Sequence, residues 1–299
     1  LTTILQLVMY GLQLGSIYAL IALGYTMVYG IIGLINFAHG DFLMVGAFIV
    51  FFLAKAMGGG TMSYGLVALI IIGGMILTGL LGVATERIAY KPLRKKPRLS
   101  ALITAIGVSM FLENFPRALP FVGPAPRPFP SLFPQVNYDI LGVGTNSVQI
   151  LMITFSILLM IGLHYITTKT KVGSQMRAVQ FDKDAAALMG INVNNTISIT
   201  FFIGAALAAA GGVFYASIYP MIDVYMGIWL GTKAFVAAVL GGIGDIRGAM
   251  LGGFIMGIAE VLATAVNSDL GYGAGFVILI LILLFKPAGI MGKFTIEKV

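Results

Sequence analysis

The sequence predicts an all-α polytopic membrane protein of about eight or nine transmembrane or partly broken helices, and three observations predict it. Of the 299 residues 59% are hydrophobic and only 10% charged, with a mean hydropathy of +1.00, whereas a soluble domain carries about 25% charged residues. Long apolar runs recur along the chain on the length scale of a bilayer's hydrocarbon, about 30 Å. Within lipid only helices or closed barrels satisfy their own backbone polar groups, and runs of this length favour helices. The basic residues, finally, gather in a few of the polar stretches between the runs, as the positive-inside bias requires.

Composition also excludes several classes. With no cysteine, neither a disulfide framework nor a thiolate metal site is possible, and the two histidines, His39 and His164, far apart in sequence, are poor material for a metal centre. A net charge of +7 would suggest nucleic acid in a soluble protein; here it records the positive-inside bias, and no nucleic-acid partner is expected. The opening LTTILQLVMYGLQLGS lacks the basic region and small-residue cleavage site of a secretory signal, so it reads as the first helix.

Nine apolar segments follow in order, at roughly 4–29, 42–56, 64–90, 99–118, 148–166, 197–218, 227–240, 248–266 and 272–286. The first and third are long enough to span with tilt. The fourth, LSALITAIGVSMFLENF, and the seventh, GIWLGTKAFVAAVL, are short and read as broken or partly re-entrant. YKPLRKKPRL with Arg87, TKTKVGSQMRAVQFDKD, GDIRG and the tail together hold 14 of the 18 Lys and Arg. Putting those stretches in the cytoplasm gives nine alternating crossings, with the C-terminus inside and the N-terminus outside. One re-entrant segment among the first three would reverse the N-terminal side. The chain is then a single transmembrane domain with an external loop at about 116–146 and a cytoplasmic loop at about 168–196. The external loop carries seven of the 11 prolines and reads either as a rigid cap or as a linker.

The cytoplasmic stretch VGSQMRAVQFDKDAAALMGINVNNT (172–196) is patterned. Asp182 can cap a short helix whose first turn carries Asp184. Ala185, Ala186, Ala187, Leu188 and Met189 propagate it, and Gly190 supplies a left-handed stop. Such a helix suits a groove on a partner; a plain interfacial helix is the alternative.

DAAALMG (184–190) resembles the EAA-xxx-G loop of ABC-importer permeases, with Asp184 in the Glu position, although the Ile-x-Leu-Pro continuation is absent. QLGSIYALIALGYTMVYGIIGLINFAHGD (13–41), ERIAYKPLR (86–94), LITAIGVSMFLEN (102–114), MGINVN (189–194), KAFVAAVLGGIGDIRGAMLGG (233–253), GIAEVL (257–262) and PAGIMG (287–292) all resemble the permease subunits of high-affinity branched-chain amino acid ABC transporters. The likeness spans nearly the whole chain. It implies an ABC-importer permease fold in a bacterial inner membrane. It further implies a second related permease, two ATP-binding subunits and an external amino-acid-binding protein as partners, with ATP and Mg bound by the ATPase subunits and no cofactor here. It assigns coupling to Arg177, Asp182, Asp184, Ala185, Ala186, Leu188, Gly190 and Ile191. Substrates would be branched-chain amino acids or, as for relatives of that family, other amino acids, urea or amides.

The residues themselves agree that the nucleotide is bound elsewhere. No G-x-x-x-x-G-K-[ST] occurs; the GTK at 231–233 lacks a Gly at Met226, and GGIGDIRGAM (241–250) is out of register with G-x-G-x-x-G. Both read as tight packing and a turn. No nucleophile and base order or paired carboxylate suggests covalent chemistry, so the chain is expected to be no enzyme.

Polar residues at membrane depth are costly unless they face a cavity or one another. In GLINFAHGDF (33–42), Asn36, His39, Gly40 and Asp41 read in two ways. One is a helix discontinuity at the pathway or gate, with Asn36 and His39 facing the interface and Asp41 capping the next helix. The other is an ordinary cytoplasmic turn. Glu260 is either a pathway residue or helix-helix glue, with Lys233 as its partner. The small residues from Gly204 to Gly212 predict close packing, across the permease dimer interface or against a neighbouring helix. A stand-alone channel or ion-coupled carrier using His39, Asp41 and Glu260 is the rival class; it would have no use for DAAALMG.

Overall fold

The computed structural model describes residues 2–33, 35–94, 96–140 and 142–292. Lys95 and the tail lysines Lys293 and Lys298, used above for orientation, lie outside the described residues, as does Leu34. All nine apolar segments are helical. In chain order they are α1 (Thr2–Ile32), α2 (His39–Ala56), α3 (Tyr64–Thr85), α4 (Arg98–Ala118), α5 (Ser147–Lys169), α8 (Val193–Ile218), α9 (Met226–Gly241), α10 (Ile246–Val266) and α11 (Ser268–Phe285). Two short helices, α6 (Lys171–Phe181) and α7 (Lys183–Leu188), fill the loop after α5. Among the described residues eight helices are long and apolar enough to cross a membrane; α9, at 16 residues, is shorter. The fourth segment, expected to be broken, is one continuous helix of 21 residues, with Pro116 tolerated in its last turn.

The helix starts are chemically prepared. Side-chain oxygens of Asn146, Asn192, Asp245 and Asn267 accept from the first free backbone N–H groups of α5, α8, α10 and α11. Those groups have no intrahelical partner. The external loop is structured rather than slack: β1 (Arg127–Pro128) pairs antiparallel with β4 (Met221–Ile222), and β2 (Asn137–Ile140) with β3 (Val143–Asn146). Phe129, Leu132 and Phe133 are buried beneath it.

This loop also fixes the direction of each helix. It holds the start of α1 (Gln6 Nε2 donates to the Gly144 carbonyl, 2.7 Å), the link between α2 and α3 (Met62 N to Leu132 O, 3.1 Å) and the end of α8 (Phe129 N to Pro220 O, 3.0 Å). At the opposite end Lys183 Nζ reaches the Ile32 carbonyl, 3.4 Å, and Ile290 N donates to Leu240 O, 2.9 Å. Thus α1, α3, α5, α9 and α11 run one way and α2, α4, α8 and α10 the other. The run α8–α11 therefore repeats the order of α1–α4 with opposite polarity. Its packing repeats as well, since α1 lies on α10 as α8 lies on α3. Inverted halves of this kind are a recurrent plan of transporters.

The halves meet through glycines. A Cβ on Gly204 would stand 3.3 Å from the Gly24 carbonyl oxygen, and one on Gly227 would stand 2.7 Å from that of Gly40. At these two crossings α1 meets α8 and α2 meets α9 with their backbones nearly in contact. The small residues from Gly204 to Gly212 are buried against α1, α2 and α3 of the same chain. The alternative of a dimer interface for that face is therefore corrected: its partners are internal.

Candidate functional site

The segment after α1 is a discontinuity. Helix α1 ends at Ile32, Gly33 takes a left-handed turn (φ 74°), and the chain doubles back before α2 starts at His39. The His39 ring lies against Gly24, eight residues before the end of α1, so that a Cβ at Gly24 would collide with it. At 1.5 Å per residue this places the start of α2 about 12 Å back along α1, inside the bundle.

All three polar residues there, Asn36, His39 and Asp41, turn inward. Asn36 is 4% exposed and His39 is 0% exposed, so neither faces an interface as expected. Asn36 Oδ1 accepts from the Ala38 N–H (3.1 Å) and from the Tyr90 hydroxyl (2.6 Å). This closes the reversal and ties it to Tyr90, five residues past the end of α3. His39 is a wedge: its ring centroid lies 4.4 Å from that of Tyr25 and 6.1 Å from that of Phe42. Asp41 does not cap α2. The N-cap is Ala38, without a side-chain cap, and Asp41 sits in the first helical turn. Its carboxylate instead accepts from Ser109 of α4, 2.6 Å. The Ala38 N–H that a carboxylate at this position could reach is already taken by Asn36 Oδ1, and Asp41 is engaged with Ser109 instead.

Beside Asp41 lies a cavity of about 350 Å³, with Asp41, Ser109 and Glu113 at its polar end and Phe37, Ile106 and Ile228 among its apolar walls. The three apolar residues are themselves exposed on this chain. Gly40, packed on Gly227 and Gly231, lets α9 form one wall. Ser109 was not singled out from the sequence. Ser109 lies 68 residues from its partner, and nothing local advertises the contact.

The second locus is the cytoplasmic-type loop, and here the local reading holds. Asp182 caps α7, accepting from Asp184 N (2.8 Å) and Ala185 N (2.9 Å). Gly190 adopts φ 82°, and Gly190 N and Ile191 N return to the Ala187 and Ala186 carbonyls, 3.0 Å each. That is a left-handed helix stop. Ala186 and Ile191 turn toward the protein, while Phe181, Leu188 and Met189 are 94, 89 and 83% exposed. Arg177 donates to the Thr167 carbonyl at the end of α5, so it ties the α5–α6 corner. Burial, with the Arg94 guanidinium nearby, holds the Lys183 ammonium below the usual lysine pKa.

A third pattern is half visible in the sequence. Glu260 pairs with Lys233 (2.5 Å), as expected, and also accepts from the Tyr18 hydroxyl, 2.9 Å. Its counterpart in the other half was missed. Glu86, whose side chain is 0% exposed, pairs with Arg94 and accepts from Ser198 of α8, 2.7 Å. Within ERIAYKPLR it looks like one member of a solvated charge run. Each carboxylate fastens its own half to the other at equivalent places, α3 to α8 through Glu86 and α10 to α1 through Glu260. Among the described residues no group of three or more metal-ligating side chains assembles.

With this geometry in place, the comparisons with known proteins are specific. Residues 7–285 match the family described as the branched-chain amino acid transport system permease component. The chain is 44% identical to the high-affinity branched-chain amino acid transport system permease protein LivH of Salmonella typhimurium (strain LT2), over 99% of this chain and 97% of that protein. To LivH of Escherichia coli K12 it is 43% identical, over 99% and 97%. To BraD of Pseudomonas aeruginosa, which carries the same description, it is 43% identical over 99% and 98%. A multi-pass membrane chain with a capped, outward-facing helix between its two inverted halves, matched over nearly its whole length, belongs to the branched-chain amino acid transport system permease family.

Proposed function

We propose that this chain is one of two permease subunits of an ABC importer that carries branched-chain amino acids across a bacterial inner membrane, with its C-terminus in the cytoplasm. The observation that carries this reading is α7. It is a six-residue helix, capped at one end and stopped at the other, that presents Leu188 and Met189 to solvent. Exposed apolar side chains on a rigid, charge-flanked helix suit a groove on a partner. The partner is an ATP-binding subunit, one for each permease. ATP and Mg are bound there, and the chain itself hydrolyses nothing. An external binding protein delivers the amino acid, and the relatives' names supply the substrate class.

The mechanism follows from what α7 touches. Closure of the ATPase pair moves α7, and Lys183 and Gln180 carry that movement to the end of α1, through the Ile32 carbonyl and Gly30. The next residues are the reversal at 33–38, locked by Asn36 and Tyr90. Shifting it tilts the start of α2 against α9 at the Gly40 crossing, which opens or closes the 350 Å³ cavity beside Asp41. In this scheme Asn36, His39 and Gly40 are hinge parts and Asp41 is the polar wall. A carrier that works without ATP would leave α7 with nothing to do.

The test is uptake of radiolabelled leucine into proteoliposomes holding the chain with its ATPase and permease partners. Gly190→Arg removes the left-handed stop and is expected to leave insertion intact while lowering ATP-driven uptake at least tenfold. Undiminished uptake by that variant would end the assignment of α7.

A further inference from the structure

A cavity of about 590 Å³ lies where α1 begins and α10 ends, away from the 33–42 reversal. Cavities of roughly 300–1,000 Å³ are the size in which proteins hold small ligands. This one contains one cation and one carboxylate, Lys233 and Glu260, each only slightly exposed. Lys233 makes one hydrogen bond, to Glu260 (2.5 Å), and stands 5.2 Å from the centroid of the Tyr272 ring. An ammonium has three donors, so further donors stay available for a ligand. Gln13 is a second, independent observation. It lines the same cavity and is 5% exposed, and its Nε2 has no hydrogen-bond partner. A buried amide without a partner is costly, more so at membrane depth. A turn of the Gln13 side chain would bring this donor to a group that enters the cavity.

The available groups define that visitor. They are net neutral, with spare donors from Lys233 and Gln13 on one side and the Glu260 carboxylate within reach on the other. Aromatic walls come from Tyr215 and Tyr219. We propose that this cavity binds a zwitterion with a primary ammonium close to an anionic group. The anion accepts from Lys233 and Gln13, the ammonium donates to Glu260, and any apolar side chain lies against the tyrosines. Resting on the transport reading, the ligand is the carried α-amino acid; the same chemistry is found in the phosphatidylethanolamine headgroups of the surrounding bilayer. In the bound state the Lys233–Glu260 pair opens around the ligand instead of closing on itself.

Two probes separate the sources, both applied to the purified chain: equilibrium binding of radiolabelled leucine, and native mass spectrometry for retained phosphatidylethanolamine. Gln13→Leu removes the amide without breaking any hydrogen bond. It is expected to lower retention of the true ligand about tenfold, the effect of one hydrogen bond to a charged group. Ala265→Phe, on an exposed part of the wall, fills the cavity without touching the packed core and serves if Gln13→Leu does not fold. Leucine bound saturably and lost in both variants supports the site with the amino acid as occupant. Phosphatidylethanolamine retained and lost in both supports it with a lipid occupant. Retention of neither ligand by the wild type, or equal retention by wild type and both variants, overturns it. ATP-driven leucine uptake by the full assembly that survives in both variants would sink the site as a transport element while leaving the transport reading in place. Leucine bound in the cavity but never carried by the full assembly would sink the transport reading while leaving the binding site in place.

Discussion

Tyr90 and Asn36 are joined by a 2.6 Å hydrogen bond across 54 residues of sequence, and this contact holds the reversal that brings α2 back into the bundle. Tyr90→Phe is expected to destabilise the chain by about 1 kcal/mol, the net worth of a buried neutral hydrogen bond. Thermal unfolding in detergent would register it as a lowered midpoint, and an unchanged midpoint would mean that the reversal is held by packing alone. The crossing at Gly40 is less forgiving. Gly40→Leu drives a branched side chain into the backbone of α9 at Gly227 and Gly231, where overpacking by one methylene already costs about 1–3 kcal/mol. The expected outcome is little folded protein in the membrane, measured by size-exclusion recovery; a normal yield would contradict the close crossing. Individual residues were partly legible. Asp182, Gly190 and the Lys233–Glu260 pair could be placed because cap, stop and charge complementarity are local or chemically obvious. Asp41 was misplaced as a cap, and Glu86, Ser109 and Gln13 were missed. Their roles depend on partners that only the folded chain brings near, as with Tyr18 and Glu260, 242 residues apart.

Of the elements, α7 has the least structural reserve, with a turn and a half closed by one cap and one stop. Asp182→Ala removes both cap bonds and is expected to weaken the helix by about 1 kcal/mol. Since six residues cannot hold a helix by propagation alone, hydrogen exchange should show α7 amides losing protection while those of α8 keep theirs. Equal protection in both helices would show that neighbouring contacts, not the cap, hold α7. The long helices were legible as apolar runs because nothing else fits a bilayer. The continuity of α4 was not, because its apolar run reads as short; the helix in fact runs unbroken for 21 residues, with Pro116 only in its last turn. The brevity of α9 was read correctly, and its cause is now physical: β4 holds the preceding chain to the external loop, and the positive φ of Gly242 (106°) ends the helix.

For the whole molecule, the inverted order of α1–α4 and α8–α11 places the two glycine crossings between the halves, and α6 and α7 on the connection that joins them. A push on that connection bears on both halves at once, which is what alternating access demands. The repeat was hidden in the sequence because its halves share packing roles rather than strings of residues. The two equivalent helix pairs, which join one half to the other, are fastened by Glu86 with Ser198 and by Glu260 with Tyr18. The central claim is that α7 seats on an ATP-binding subunit. The chain contains no cysteine, so Leu188→Cys introduces a single reactive thiol at the tip of α7. A thiol-to-amine cross-linker applied to inner membranes of cells expressing the full assembly should give an adduct of this chain with an ATP-binding subunit, identified by mass spectrometry. An introduced thiol that stays free and fully accessible in an assembly importing leucine at the normal rate would contradict the account.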